Sequence, residues 1–197
     1  MEISECRKDL RDNKKIQEAV KTILKEIGED PNREGLKRTP FRVAKAYEEF
    51  FGGYDFKPKD VLNRQFAESC GIVIEGPISF YSFCEHHMVP YIGKVYISYV
   101  PDKYVTGLDK LVKLTEIYAR RLQVQERMTN QIADGLYKNL KCKGVMVIVD
   151  AQHLCVNSRE TKNDTTRTIT SEVRGIFKSN AKARQEVLDL IKISEKR

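Results

Sequence analysis

Residues 71–100 have the sequence GIVIEGPISFYSFCEHHMVPYIGKVYISYV, in which a turn-like segment separates two strand-like runs. Both runs, residues 71–82 and 91–100, are rich in β-branched and aromatic residues, as strands are. Apolar side chains occupy alternate positions of the second run, which indicates one face packed on a core: Val95, Ile97 and Tyr99. We therefore predict two neighbouring strands here.

Helical spacing of apolar residues predicts helices on both sides of this stretch. The predicted helices cover residues 16–27, 39–51, 108–122, 128–140 and 181–193. Thr39-Pro40 is typical of an N-cap followed by proline in the first turn, and Gly52-Gly53 of a helix end. Two further strands are predicted over residues 144–149 and 166–177.

The order of these elements predicts the architecture. Strands in adjacent pairs favour an antiparallel sheet, and the intervening helices would pack on one of its faces, as in an α+β fold. We divide the chain into an N-terminal helical extension, residues 1–60, and a main domain, residues 61–197, which contains the predicted sheet.

Composition predicts a globular protein of one sizeable core, because 41% of the 197 residues are hydrophobic and 32% are charged. No apolar run approaches the length of a membrane span, and the charged N-terminus has no apolar signal region. The five cysteines are odd in number and scattered, which favours ligands or buried thiols over a disulfide framework. We expect a cytoplasmic protein that does not associate with membranes.

The net charge of +7 is compatible with a nucleic-acid partner or with a polyanionic small ligand. The basic residues are spread along the chain without a run of five or six. This distribution weakens the nucleic-acid interpretation.

All three histidines lie in two short segments, and each segment also contains a cysteine: Cys84-Glu85-His86-His87 and His153-Leu154-Cys155. Imidazole and thiolate are preferred ligands of zinc, so the segments predict one Zn²⁺ site built from distant parts of the chain. A catalytic site uses three protein ligands and a structural site four. Spacing favours Cys84, His87 and Cys155 as ligands, with His86 and His153 as flanking proton-transfer groups. The alternative is that the cysteines are buried thiols and the histidines ordinary residues.

Several motifs together resemble GTP cyclohydrolase I, over roughly residues 16 to 193. They occur in the order and spacing of that family: Thr39-Pro40-Phe41-Arg42-Val43-Ala44-Lys45, Cys84-Glu85-His86-His87, Gly107-Leu108-Asp109-Lys110-Leu111, Arg121-Leu122-Gln123-Val124-Gln125-Glu126-Arg127, His153-Leu154-Cys155 and Thr168-Ile169-Thr170-Ser171.

The resemblance implies the tunnelling fold, a homodecamer of two stacked pentamers with active sites between subunits, and hydrolysis of GTP to 7,8-dihydroneopterin triphosphate and formate. It implies that Cys84, His87 and Cys155 bind zinc and that His153 and His86 are catalytic. It further implies that Gln125 and Glu126 read guanine. The triphosphate would be bound by cationic side chains, namely Arg42, Lys45, Lys110, Lys113 and Arg159.

Two positions depart from the family pattern. Asp109 stands where the family usually has serine, at the triphosphate end of the substrate site. Glu160 stands where the family usually has glycine, directly after Arg159. A carboxylate beside phosphates is repulsive unless it is paired, and Lys113, four residues along a helix, is a suitable partner. We expect these departures to affect substrate affinity and the rearrangement of the ribose more than the hydrolysis.

Two other functions fit parts of the sequence. A basic protein stabilised by zinc that binds nucleic acid would have a closed site with four ligands. The other is a different enzyme of the tunnelling fold that acts on a related purine or pterin. Nitrile reductases of this fold use a cysteine nucleophile, and the Cys84–His87 segment does not resemble their signature.

Overall fold

The computed structural model describes residues 13–68, 70–159 and 165–195. Its N-terminal part is helical, as predicted. The helices are α1 (Lys14–Glu26), α2 (Thr39–Phe50) and the short α3 (Pro58–Val61), with a 3-10 turn at Gly52–Asp55. Proline occupies the first turn of α2, as predicted, but the N-cap residue is Arg38 and not Thr39, and no side chain caps the helix.

The main sheet has five strands, in the spatial order β5-β2-β3-β6-β7. These are β2 (Val73–Cys84), β3 (Pro90–Val100), β5 (Leu122–Gln123), β6 (Gly144–His153) and β7 (Thr168–Gly175). A separate pair is formed by β1 (Gln65–Ala67) and β4 (Tyr104–Thr106). Within the main sheet β2, β3, β6 and β7 are antiparallel, and only β5 lies parallel to its neighbour β2. The predicted α+β class is therefore confirmed.

Two long helices, α4 (Leu108–Ala119) and α5 (Gln125–Leu140), bury one face of this sheet. Leu111, Leu114 and Ile132 pack there against the alternating Val95 and Ile97 of β3. The opposite face carries Tyr96 and Met146, and a smaller cluster forms there with residues of α7 (Ile176–Ser179) and α8 (Ala181–Glu195). Both faces of the central strands are therefore covered, which explains why β6 is almost continuously apolar.

The N-terminal helices are tied to the sheet domain through Arg121. Its guanidinium donates to the carbonyl oxygens of Gly53 and Phe56, at 2.7 and 3.1 Å, and to that of Ile117 at 2.6 Å. Gly53 is required at this junction, because a Cβ atom there would lie 2.4 Å from the carbonyl oxygen of Ile117.

The strand directions place the segments that follow β2, β5 and β6 at the same end of the sheet. Strands β2, β5 and β6 all run the same way, because β2 and β6 are both antiparallel to β3 and β5 is parallel to β2. Their carboxyl ends therefore meet at the same edge. None of the helices in the described ranges is both long and apolar enough to cross a membrane.

Candidate active site

The first of the three segments is a tight loop between β2 and β3. Strand β2 ends at Cys84, and a turn follows before β3 begins at Pro90. The backbone N–H of Cys84 donates to the carbonyl of Val89, and that of Met88 donates to the carbonyl of Cys84. Met88 has a left-handed φ of 53°. This closed turn holds Cys84 and the two histidines on one short stretch of backbone.

The second segment follows β6. The strand continues to His153, four residues beyond the predicted end, and the chain then enters the short helix α6 (Leu154–Asn157). Cys155 lies in this helical turn and not in an extended chain. The turn directs the two side chains to different partners.

Cys84, His87 and Cys155 come together as predicted. One ligand atom of each lies within 4.8 Å of the others, and the Sγ of Cys84 is 3.7 Å from Nδ1 of His87. Both cysteines are buried, and His87 is exposed. Burial, and the neighbouring sulfur of Cys84, raise the pKa of the Cys155 thiol above its ordinary value.

This donor set fits a metal ion. Two thiol groups so close together resist ionisation until a cation compensates their charge. Two sulfurs and one imidazole are ligands that zinc prefers, and three protein ligands are typical of a catalytic zinc site. His86 also lies near the group, with its Nδ1 3.6 Å from the Sγ of Cys84, but only the first three residues converge mutually.

His153 contacts an aromatic ring and a buried amide. Its ring stacks on that of Tyr91, with centroids 4.6 Å apart and planes 3° from parallel. Its Nε2 lies 2.7 Å from Oε1 of Gln125. Burial lowers the pKa of His153, and the negative charge of Glu126 opposes this shift. The imidazole is therefore held rigidly and is biased towards its neutral form.

Gln125 is almost fully buried, with 1% of its surface exposed. Its Nε2 donates to the carbonyl oxygens of Val149 and Thr168, at 3.1 and 2.9 Å, and also contacts Oγ1 of Thr170. Because carbonyl oxygens only accept hydrogen bonds, the amide nitrogen must face them and Oε1 must face His153. The geometry thus assigns the proton of the His153 ring to Nε2. The guanine-reading role implied for Gln125 stays a prediction.

The third segment begins α5. Glu126 is exposed beside Gln125, and no ion pair of Glu126 is found among the described side chains. Arg127 follows and pairs with Glu85 of the first loop, with two nitrogen–oxygen contacts of 2.5 and 2.9 Å. Sequence reasoning gave no role to Glu85 or Arg127, although both lie inside the quoted motifs; their pairing was the missing information.

Two of the predicted triphosphate-binding residues, Lys110 and Lys113, lie beside Asp109. Asp109 lies between Lys110 and Lys113 at the start of α4, with its Oδ2 3.2 and 3.7 Å from their ammonium nitrogens. Partial burial raises the pKa of Asp109, but the lysines and Arg64 outweigh this effect and hold it below its ordinary value.

Arg159 contacts the metal-site group directly, since its Nη2 lies 3.1 Å from Nε2 of His87. Arg42 and Lys45 are exposed on α2, and in the described parts of the chain neither makes a side-chain hydrogen bond or ion pair with the residues above. Glu160 lies outside the described residues.

Comparison with known proteins supports one family. The family model for GTP cyclohydrolase I matches residues 16–192. The protein named GTP cyclohydrolase 1 of Campylobacter jejuni (strain RM1221) is 48% identical over 180 residues, which cover 90% of this chain and 95% of that protein. The protein of the same name from Desulforamulus reducens is 50% identical over 179 residues, which cover 90% of this chain and 96% of that protein. That of Clostridium kluyveri is 46% identical over 183 residues, or 92% of this chain and 99% of that protein.

Among solved structures, the apo form of the archaeosine synthase QueF-Like matches with a TM-score of 0.47 and 15% identity, over 55% of this chain and 97% of that one.

Proposed function

The chain belongs to the GTP cyclohydrolase I family, and we propose that it hydrolyses GTP to 7,8-dihydroneopterin triphosphate and formate with a zinc ion held by Cys84, His87 and Cys155. The observation that carries this proposal is the convergence of these three side chains within 4.8 Å. When bound, zinc supplies a Lewis acid that lowers the pKa of a coordinated water to about 7.

We assign proton transfer to His153 and His86. Because Nε2 of His153 donates to Gln125, Nδ1 is the ring nitrogen left to exchange a proton with the purine. The stacked Tyr91 ring keeps the imidazole plane fixed. His86 is exposed beside Cys84 and would act on the opposite side of the site.

Glu126 would read guanine. An exposed carboxylate that forms no ion pair with the described side chains can accept from both N1–H and the 2-amino group of guanine, in a bidentate arrangement. Adenine lacks these donors and would leave the carboxylate unpaired. The buried contacts of Gln125 suggest that it serves the same site by holding His153.

The triphosphate would be bound by Lys110, Lys113 and Arg159, with Arg42 and Lys45 contributed across a subunit boundary. Lys110 and Lys113 lie on α4 and Arg159 contacts His87, whereas Arg42 and Lys45 make no side-chain hydrogen bond or ion pair with these residues within the part of the chain that the structure describes. We propose that the site is completed by a neighbouring copy.

The sheet supports assembly into the homodecamer of two pentamers implied by the family. Strand β7 pairs only with β6 among the described strands, and β2 pairs with β5 only at Phe83 and Cys84. Both open edges expose large side chains: Tyr81 is 71% and Ile169 69% exposed. Edge-to-edge pairing between copies would cover them, and pairing of two different edges closes a ring.

The proposed place of the enzyme is the cytoplasm. Its product would supply pterin synthesis, including the folate pathway.

The test is incubation of the purified protein with GTP, followed by measurement of formate and of the fluorescent oxidised pterin, with zinc content determined in parallel. The proposal predicts both products and about one zinc per chain. Stoichiometric zinc without release of formate would instead favour a structural zinc site.

A further inference from the structure

Glu85 and Arg127 form an ion pair next to the metal-site group. Nη1 of Arg127 lies 2.5 Å from Oε2 of Glu85, and Nη2 lies 2.9 Å from Oε1. The guanidinium and the carboxylate therefore form a bidentate pair, with two parallel hydrogen bonds. The partners are 42 residues apart in sequence. Neither side chain has a role in the proposed chemistry.

The pair joins two of the three segments that carry the proposed chemistry. Glu85 lies inside the loop, directly between Cys84 and His86. Arg127 lies in the first turn of α5, next to Glu126. A backbone hydrogen bond reinforces the connection, since the N–H of Glu85 donates to the carbonyl of Gln123 at 3.0 Å. Three hydrogen bonds thus fix the loop, one to β5 and two to the first turn of α5.

The charges of the pair also bear on Glu126. The two guanidinium–carboxylate contacts occupy both oxygens of Glu85 and both terminal nitrogens of Arg127. With its fork occupied by Glu85, the guanidinium of Arg127 is not available to neutralise Glu126. The Glu126 carboxylate therefore remains open to a ligand.

We propose that Glu85 and Arg127 are positioning residues, whose ion pair sets the separation and orientation of the metal-ligand loop relative to the guanine-reading Glu126. The inference rests on the proposed function, because it assigns the pair to the same substrate site. It differs from a simple surface salt bridge, which would contribute only to stability. Both side chains are accessible, 31% and 47% exposed, so they can be replaced without opening a core.

The test is a double-mutant cycle with Glu85→Gln, Arg127→Met and the combined variant. Loss of either partner should lower kcat/KM for GTP at least fivefold, and the combined variant should be no worse than the poorer single variant, since the pair acts as a unit. Arg127→Lys, which keeps the charge but not the fork, should fall between wild type and Arg127→Met. Lys138→Gln is the matched control, because it removes an ion pair with Asp134 farther along the same helix.

A second readout does not depend on turnover. The zinc dissociation constant, measured by competition with a chelator, should rise in Glu85→Gln and Arg127→Met and stay unchanged in Lys138→Gln. If wild type releases no formate, the proposed function fails and the cycle is judged on zinc affinity alone. The readout is kcat/KM for GTP if wild type is active, and zinc affinity if it is not. The proposal is overturned if Glu85→Gln and Arg127→Met match Lys138→Gln in that readout, or if the effects of the two substitutions simply add.

Discussion

Replacement of Asp109 by serine should strengthen binding of GTP. The Oδ2 atom of Asp109 lies 3.2 Å from Nζ of Lys110 and 3.7 Å from Nζ of Lys113. In the proposed site these ammonium groups bind the triphosphate, so the carboxylate competes for the same cations and repels the phosphates. Serine removes the charge and restores the residue that the family usually has here.

The magnitude follows from the exposure of the pair. Asp109 is 59% exposed, so each ion pair is screened by solvent and is worth about 0.2–1 kcal/mol. Two such pairs amount to about 0.4–2 kcal/mol. Because about 1.4 kcal/mol corresponds to a factor of ten, the KM for GTP should fall about two- to thirtyfold. The same carboxylate lies in the first turn of α4, where it interacts favourably with the helix dipole. The variant should therefore also have a slightly lower melting temperature.

Steady-state formate release at low and high ionic strength measures this effect. Asp109→Asn should behave like Asp109→Ser if charge is the cause, and the gain should shrink at high salt because the interaction is screened. Asp189→Ser, which removes a similar exposed acid from α8, is the control. An unchanged or higher KM in both Asp109 variants would refute the competition between Asp109 and the triphosphate.

Three further substitutions test other parts of the structure. Cys155→Ser should abolish stoichiometric zinc binding, measured by metal analysis, while circular dichroism stays near wild type. Gln125→Met should lower kcat at least tenfold by releasing His153, and should cost about 1–3 kcal/mol of unfolding free energy, because buried carbonyls lose a donor. Lys138 and Arg174 lower the pKa of Asp134, so its pairing stabilises the fold above the unfolded pKa of about 3.9 and is lost as pH falls through the lower folded value. Asp134→Asn should therefore be less stable at pH 7 by about 1 kcal/mol, and the difference in denaturant midpoint should disappear as the pH falls through the lowered pKa of the folded state.

Much of the architecture was predictable from local patterns. Alternation in residues 91–100 identified β3 because one face packs on α4 and α5. The helix starting at Thr39 was predictable from the proline in its first turn, although Thr39 is the first helical residue and not the N-cap. Short elements were not predicted: β5 has two residues and depends on its pairing with β2, and α6 is a single turn. Such elements are set by tertiary contacts and carry no periodic signal of their own.

The candidate site was predictable in its residue types but not in its contacts. Histidine and cysteine identify a metal site because few other residues share their chemistry. Glutamine and arginine carry no such signal. The sequence could not reveal that the amide nitrogen of Gln125 donates to the carbonyls of Val149 and Thr168, or that Arg127 pairs with Glu85. The partners in these contacts are 24 to 43 residues apart in the chain.

The topology explains why distant segments meet without any contiguous metal-binding motif. Cys84 is the last residue of β2 and His153 is the last residue of β6, and these strands run in the same direction on either side of β3. The β3–β6 register places Tyr91 directly opposite His153, so their stacked rings follow from strand pairing alone. A slip of one residue would turn Tyr91 to the other face of the sheet and separate the rings. The hydrophobic core that fixes this register is therefore also what fixes the geometry of the site, and the sheet must form before three separate side chains can share one metal ion.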